Sequence, residues 1–294
     1  MIEPTIRQLR TFLAVIETGR VSVAARELHL TQPAASQQLR ELERILRVRL
    51  LDRAGGRVVP TAAGSALLEP ARRAQAAIED VVAAAAAYRS GEVGRVRFGS
   101  GATACIHLLP GVLADAKRRM PGLDAIVATG NTGDIVRRIE AGALDVGLAT
   151  MPVPASRALI VEPLLSDRLL AMLPVDMAPD DGPLDAATLS RLPLILYEPG
   201  GTTRALIDTW FRQAGASVTP IMQLDSVETI KVLVGGGLGA SILPELALGT
   251  AVPGTVVRAL RPVLLRQLAI VVRREKVVDR GLRVMLEALR GLAG

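Results

Sequence analysis

The stretch from Val21 to Arg57 constrains the fold more than any other, because it places two short amphipathic segments, a tight turn and a basic Gly-Gly hairpin in immediate succession. Ser22 is positioned to N-cap a helix reaching about Leu28, and Ala24, Ala25 and Leu28 give that helix a small-residue inner face which a second helix can approach closely. After the turn, Thr31 is the next N-cap candidate, and Pro33 falls in the first helical turn, where a missing N–H costs nothing. This second helix is expected to run to about Leu46. Its apolar Ala35, Leu39, Leu42 and Leu46 recur at helical spacing, while Gln32, Ser36 and Arg40 share the opposite face with Gln37 beside them. Gln and Arg can each make two-pronged contacts with base edges in a major groove, and Ser reaches a base or a phosphate. The alternating Arg and Val around Gly55-Gly56 suit a two-stranded wing, whose Arg53 and Arg57 could touch phosphate or minor groove. Periodicity alone leaves a plain helical hairpin with a solvated face, and ordinary surface arginines, equally open.

Specific residues weigh between those readings. The run A-A-R-E-L-H-L-T-Q-P-A-A-S-Q-Q-L-R-E-L-E from Ala24 to Glu43, L-L-D-R at Leu50 to Arg53 and P-T-A-A-G at Pro60 to Gly64 closely resemble the amino-terminal signature of LysR-type transcriptional regulators. The resemblance implies a winged helix-turn-helix that reads DNA through Thr31, Gln32, Pro33, Ser36, Gln37, Arg40, Arg53 and Arg57. Three positions depart from the family pattern: Arg20 stands where Ser is frequent, Arg47 where Gly is usual and Leu51 where Phe is usual.

The charge balance agrees with a polyanionic partner. The net charge is +6, and residues 1 to 60 hold ten Arg against six acids, so +4 of it lies where DNA would be. Although half the residues are hydrophobic, no uninterrupted apolar run approaches the ~20 residues of a membrane span. The opening M-I-E-P-T-I-R lacks the pattern of a secretory leader, so a cytoplasmic protein with no membrane association is expected. Cys105, the one cysteine, reads as a small buried hydrophobe.

Along the chain, Thr5 and Gln8 form a capping box for a first helix with the stripe Leu9, Phe12, Leu13 and Ile16, ending near Gly19. Thr61 caps a long Ala-rich helix to about Tyr88, and Leu67, Ala71, Ala74, Ile78, Val81, Ala85 and Tyr88 alternate at steps of four and three, a heptad seam that a helix packed on its own domain would also show. Its place between two different domains, and the resemblance, favour a dimerising linker. Pro70 is expected to kink it slightly. Ser90 to Gly94 breaks the pattern and marks a boundary. Beyond it, short β runs (Val96–Gly99, Leu123–Thr129, Val146–Thr150, Leu194–Tyr197, Ser241–Leu243) alternate with helices (Leu108–Arg119, Thr132–Ala141, Thr203–Gln213, Val227–Gly235), the texture of an α/β fold. The order resembles the effector domain of the same regulators, a two-lobed, periplasmic-binding-protein-like α/β domain in which the chain crosses between lobes twice, here near Leu164–Ser166 and Arg266–Leu268. The expected organisation is a mainly α winged helix-turn-helix domain (1–60), a linker helix (61–90) and an effector domain (91–294), with lobe I at 91–164 and 268–294 and lobe II at 165–267.

Enzyme signatures are missing from the sequence. His29 and His107 are too far apart for an obvious triad or metal site and read as packing or helix-end residues, no P-loop occurs, and G-G-G-L-G at Gly235 to Gly239 reads as a helix end turning into a strand. No catalytic residue, metal or cofactor is expected. The rival readings are a cytoplasmic small-molecule-binding protein, a solute receptor for transport and a transferase-like enzyme on the same two-lobed fold. Four polar segments would converge at a lobe interface by the switch-point rule: Gly99–Thr103, Gly130–Thr132, Glu198–Arg204 and Ser226–Lys231. Each begins or precedes a helix, which suits a small anion, although simple N-capping accounts equally well for any single one. The four match the family's inducer site, which implies effector binding by Ser100, Thr103, Asn131, Thr132, Thr203, Arg204 and Ser226, with Thr103 and Thr203 foremost. The expected partners are pseudo-palindromic double-stranded DNA, a small anionic metabolite, a second copy of the chain in a homodimer and homotetramer, and RNA polymerase.

Overall fold

The computed structural model describes residues 3–89, 93–179 and 181–293, for residues 84, 86–89, 93 and 293 by the backbone alone. The chain forms two compact units, one of residues up to Ala85 and one made of most of the residues beyond it.

The first unit holds α1 (Ile6–Thr18), α2 (Val21–Glu27), α3 (Gln32–Leu46), the antiparallel ribbon β1 (Leu51–Ala54) and β2 (Arg57–Pro60), and α4 (Ala62–Arg89). The capping box forms: the Thr5 N–H donates to Gln8 Oε1 at 2.7 Å and the Gln8 N–H to Thr5 Oγ1 at 3.3 Å. Phe12, Leu13, Ala24, Leu39, Leu42 and Leu50 make the core. Ser22 does not cap α2. The helix starts at Val21, which puts Ser22 inside its first turn, and the capping position falls to Arg20, whose side chain cannot accept a hydrogen bond. Thr61 caps α4 through the Gly64 N–H at 3.0 Å and donates to the Arg49 carbonyl at 2.7 Å. A Cβ on Gly64 would stand 2.1 Å from the Leu50 carbonyl oxygen, which accounts for the glycine of the P-T-A-A-G motif. The helix α4 runs on through Pro70. Its heptad seam divides: Leu67, Ala71 and Ala74 pack into this unit's own core, whereas Ile78 and Val81 are exposed. Tyr88's side chain, and Ser90 to Glu92 of the expected boundary, lie outside the described residues.

In the second unit, β3 (Val93–Ser100), α5 (Ala102–His107), α6 (Leu109–Arg119), β4 (Gly122–Thr129), α7 (Thr132–Glu140) and β5 (Val146–Thr150) are followed by a 16-residue strand β6 (Leu159–Pro174). Then come β7 (Leu184–Asp185), α8 (Ala186–Leu189), β8 (Ile195–Tyr197), α9 (Thr202–Gln213), β9 (Met222–Leu224), α10 (Val227–Gly235), β10 (Ser241–Pro244), β11 (Thr255–Arg258), β12 (Leu260–Arg261), β13 (Leu264–Arg273) and α11 (Arg280–Arg290). β3, β4 and β5 are parallel, while β13 pairs antiparallel with both β5 and β6, so the main sheet is mixed. One core gathers Val96, Phe98, Leu148, Met285 and Leu289 with Leu164 and Leu268. Another gathers Leu196, Trp210, Phe211 and Ile242 with Leu169 and, at its edge, Leu264. The long pair β6 and β13 thus contributes to both cores, which neither strand's sequence announces. Asp145, buried at the start of β5, is held by Arg97 at 2.8 Å and Lys276 at 3.0 Å. Burial pushes its carboxyl up, but the hydrogen bonds and charge of Arg97 together with the charge of Lys276 outweigh this and keep it below the usual carboxylate range.

Candidate functional sites

On α3, Thr31 caps through the Ala34 N–H at 3.4 Å, and Pro33 occupies the first turn as its fixed φ requires. Ala35, Leu39 and Leu42 are buried, which turns Gln32, Pro33, Gln37 and Arg40 outward, with Ser36 half-buried among them. Two polar residues that periodicity did not single out fix this helix. Thr11, buried in α1, donates to Gln38 Oε1 at 2.5 Å, and Glu43 Oε1 accepts from the N–H groups of Leu50 and Leu51 at 2.7 and 3.2 Å. In the ribbon, Arg53 pairs with Val58 and Arg57 with Ala54, so the two arginines leave opposite faces. Both are exposed, and the Arg57 guanidinium lies against Gly19, where a Cβ would come within 3.0 Å of its Nε.

The second unit contains a cavity of about 550 Å³. It is walled by the carboxyl ends of β3, β4 and β5 (Ser100, Thr129, Thr150) and of β8 (Tyr197), with the first turns of α5, α7 and α9. Parallel strands end there with their helices beginning at the same edge, which is where a switch point opens a crevice. Three of the four polar segments therefore converge. The fourth contributes Val227 but not Ser226, which caps α10 through the Thr229 N–H at 3.3 Å, and Asp225, just before that segment, joins the wall.

The wall residues divide by whether their hydrogen-bonding capacity is already used. Ser100 and Thr103 are buried, and neither hydroxyl has a partner among the described residues. Thr203 lies half-buried at the start of α9, whose capping position, Gly201, supplies no side-chain bond. Asn131 spends its carbonyl oxygen on the Asp134 N–H at 2.9 Å and keeps its amide donors. Thr132 is committed: its hydroxyl accepts from the Thr150 N–H at 3.1 Å and donates to the Thr150 carbonyl at 3.3 Å, so it stitches α7 to β5. Arg204 is committed as well. It donates to Asp208 at 2.8 Å, to Gln223 at 3.0 Å and to the Tyr197 carbonyl, pinning α9 to β8 and β9 instead of offering a free charge. Sequence reasoning had no signal for this, because it takes three partners from separate elements. It also passed over Arg266 and Asp167, an ion pair 2.7 Å long facing each other across β13 and β6, with Arg266 on the cavity wall. The Tyr197 phenol, buried and without a hydrogen-bond partner among the described residues, is pushed up by burial, with Arg266 acting in the other direction.

His107, at the end of α5, meets Glu228 of α10 at 3.2 Å, and Lys231 completes the group at 3.0 Å. Burial pushes Glu228 up, while Lys231 and His107 outweigh it and lower its carboxyl. His29 is exposed at φ 53° after α2. Cys105 is half-buried, its Sγ 3.9 Å from the Ser100 carbonyl, and burial raises its thiol. Among the described residues no cluster of metal-ligating groups occurs, and no helix is long and apolar enough to cross a membrane.

Comparison with known proteins places both units. The profile of the LysR substrate binding domain matches residues 89–294, and that of the bacterial regulatory helix-turn-helix protein, lysR family, matches residues 6–65. The transcriptional regulator CbbR of Xanthobacter flavus is 34% identical over 294 residues, covering 96% of this chain and 86% of that protein. Among solved structures, a full-length OxyR point variant from Pseudomonas aeruginosa aligns with a TM-score of 0.78 at 22% identity, over 100% of this chain and 97% of the other. CbnR complexed with its target DNA aligns at 0.73 and 24%, over 98% and 100%.

Proposed function

The chain belongs to the LysR family of DNA-binding transcriptional regulators, and we propose that it adjusts transcription in response to a small metabolite, bound by its anionic group in the cavity of its second unit. Family membership makes it a regulator and not an enzyme. The observation that carries the metabolite reading is the set of wall groups with capacity to spare: the hydroxyls of Ser100, Thr103 and Thr203 and the Asn131 amide, around a space of about 550 Å³. Converging donors favour a carboxylate or a sulfur oxyanion, since hydrogen bonds to a charged acceptor are roughly twice as strong as neutral ones. The regulator works in the cytoplasm as a dimer through α4, and two dimers form a tetramer. A two-fold dimer calls for a pseudo-palindromic site. RNA polymerase is its further partner.

On DNA, Gln32, Ser36, Gln37 and Arg40 read bases, Thr31 and Pro33 set the helix start against the backbone, and Arg53 holds phosphate. The CbnR relative was solved on its target DNA, and the outward face of α3 offers the same use. Arg40→Ala is expected to change sequence preference in a randomised-site binding assay. Arg53→Ala is expected to weaken all sequences alike and to flatten the salt dependence by about one unit of slope. Intact affinity and preference in Arg40→Ala would remove the proposed reading face.

A further inference from the structure

The charged groups of the cavity wall point to the class of metabolite, an inference that rests on the cavity being the effector site. Arg204 spends Nε and Nη1 on three partners, Asp208, Gln223 and Tyr197. Arg266 has a single side-chain partner, Asp167. Its Nε donates to Asp167 Oδ2 at 2.8 Å and its Nη2 lies 2.7 Å from that same oxygen, while Oδ1 accepts from the Leu246 N–H at 3.2 Å. A guanidinium carries five N–H donors, and one carboxylate oxygen cannot satisfy them. Nη2 has no hydrogen bond of good geometry and is itself covered. The donors left for the cavity are those of Nη1, which has no hydrogen bond among the described residues, on a side chain that is 5% exposed and stands on the cavity wall. Thr103, 8% exposed, adds a second buried side chain on that wall with unused capacity.

Two carboxylates stand on the same wall. β8 and β9 are parallel with Tyr197 beside Leu224, and the Glu198 N–H donates to the Leu224 carbonyl at 3.0 Å, so Glu198 and Asp225 leave the strands side by side. Neither carboxylate has a hydrogen bond or ion pair among the described residues. With Arg204 balanced by Asp208 and Arg266 by Asp167, these two negative charges are what the wall has left over. A dianion large enough to fill the cavity would bring its second negative group against them.

We propose that the cavity selects a zwitterion, with its oxyanion on the spare donors of Arg266 and its ammonium group between Glu198 and Asp225. Asp167 orients Arg266, and the Ser100 and Thr103 hydroxyls serve the remaining polar atoms.

The test is thermal denaturation of the full chain at neutral pH, with three probe sets at equal concentration: the twenty protein α-amino acids, the dicarboxylates succinate and glutarate, and the amine putrescine. At least one amino acid is expected to raise the melting temperature in a dose-dependent way, with no dicarboxylate and no amine doing so. Glu198→Gln with Asp225→Asn, both at exposed positions, is expected to weaken that amino acid about tenfold or more, the effect of losing a charge-assisted bond. Arg266→Gln is expected to abolish the shift. Because that change strands buried Asp167 and can unfold the chain, Arg266→Lys is the second variant; it keeps the charge but not the fork, and is also expected to bind about tenfold more weakly. A dicarboxylate that stabilises as well as any amino acid and responds to Thr203→Val overturns the zwitterion and leaves the cavity reading standing. An amino acid whose effect survives both Thr103→Val and Thr203→Val overturns the cavity reading. A flat response to every amino acid overturns the zwitterion.

Discussion

At Arg47 the chain carries a long side chain where the backbone favours none. The residue caps α3 with φ 54°, in the left-handed region, and its N–H returns to the Glu43 carbonyl. An L-residue with a Cβ costs roughly 1–2 kcal/mol there, and glycine does not. The departure from the LysR signature was visible in the sequence, whereas its cost became visible only with the angle. Arg20 is the matching case at a helix start: it occupies the N-cap of α2 without a side-chain bond, where a serine hydroxyl would satisfy one of the free N–H groups. Arg47→Gly and Arg20→Ser are each expected to stabilise the chain by about 1 kcal/mol. Urea denaturation would show this as a higher midpoint with unchanged slope. A lowered midpoint in Arg47→Gly would mean that the arginine makes a contact worth more than its strain. At this same scale the sequence showed which residues of α3 face inward, through period and cap, but not that Gln38 and Glu43 turn back to bind α1 and the chain before β1, since a polar residue's partner is not written in its spacing.

The elements that the sequence showed well are those whose signal is local. Capping residues marked α1, α3 and α4, and the Gly-Gly pair, at φ 57° and 75°, marked the β1–β2 turn. The strands β6 and β13 were legible only as crossing points, because polar residues interrupt their apolar runs at Asp167 and Arg266, which form an ion pair across the register. That pairing is a fact about two strands and cannot be read in one. The cavity was legible in the same measure: strand ends and helix starts located it, but Thr132, Arg204 and Ser226 turned out to be spent on the scaffold. In α4 the seven-position seam holds two roles in succession. Leu67, Ala71 and Ala74 are already covered within the first unit, which leaves Ile78 and Val81, 39% and 65% exposed, for a partner. Ile78→Glu with Val81→Glu is therefore expected to reduce the mass measured by light scattering to a smaller oligomer, with the helical circular dichroism of the chain kept. An unchanged mass would take the seam out of the dimer.

For the whole molecule, the proposed function requires that occupancy of a cavity in one unit alter the DNA affinity of another. A bound molecule shifts an equilibrium only by its difference in affinity for the two states, so tight binding to both would change nothing. The cavity wall is suited to such a difference, since it is made by two groups of elements with separate cores, Ser100 and Thr103 on one side and Tyr197 and Thr203 on the other, joined by β6 and β13. A ligand touching both sides favours whichever angle lets it keep both sets of contacts. Linkage then fixes a quantitative relation: if an inducing compound changes DNA affinity by some factor, saturating DNA changes the compound's affinity by the same factor, typically about 5–150-fold. Fluorescence anisotropy of a labelled operator with and without the compound, and calorimetry of the compound with and without operator, measure the two factors separately. Thr103→Val removes one contact of the pair, and the operator titration is expected to lose its response to the compound. A response retained in Thr103→Val would place the effector elsewhere, and two unequal factors in the wild type would rule out a single two-state equilibrium shared by the cavity and the DNA-reading helix.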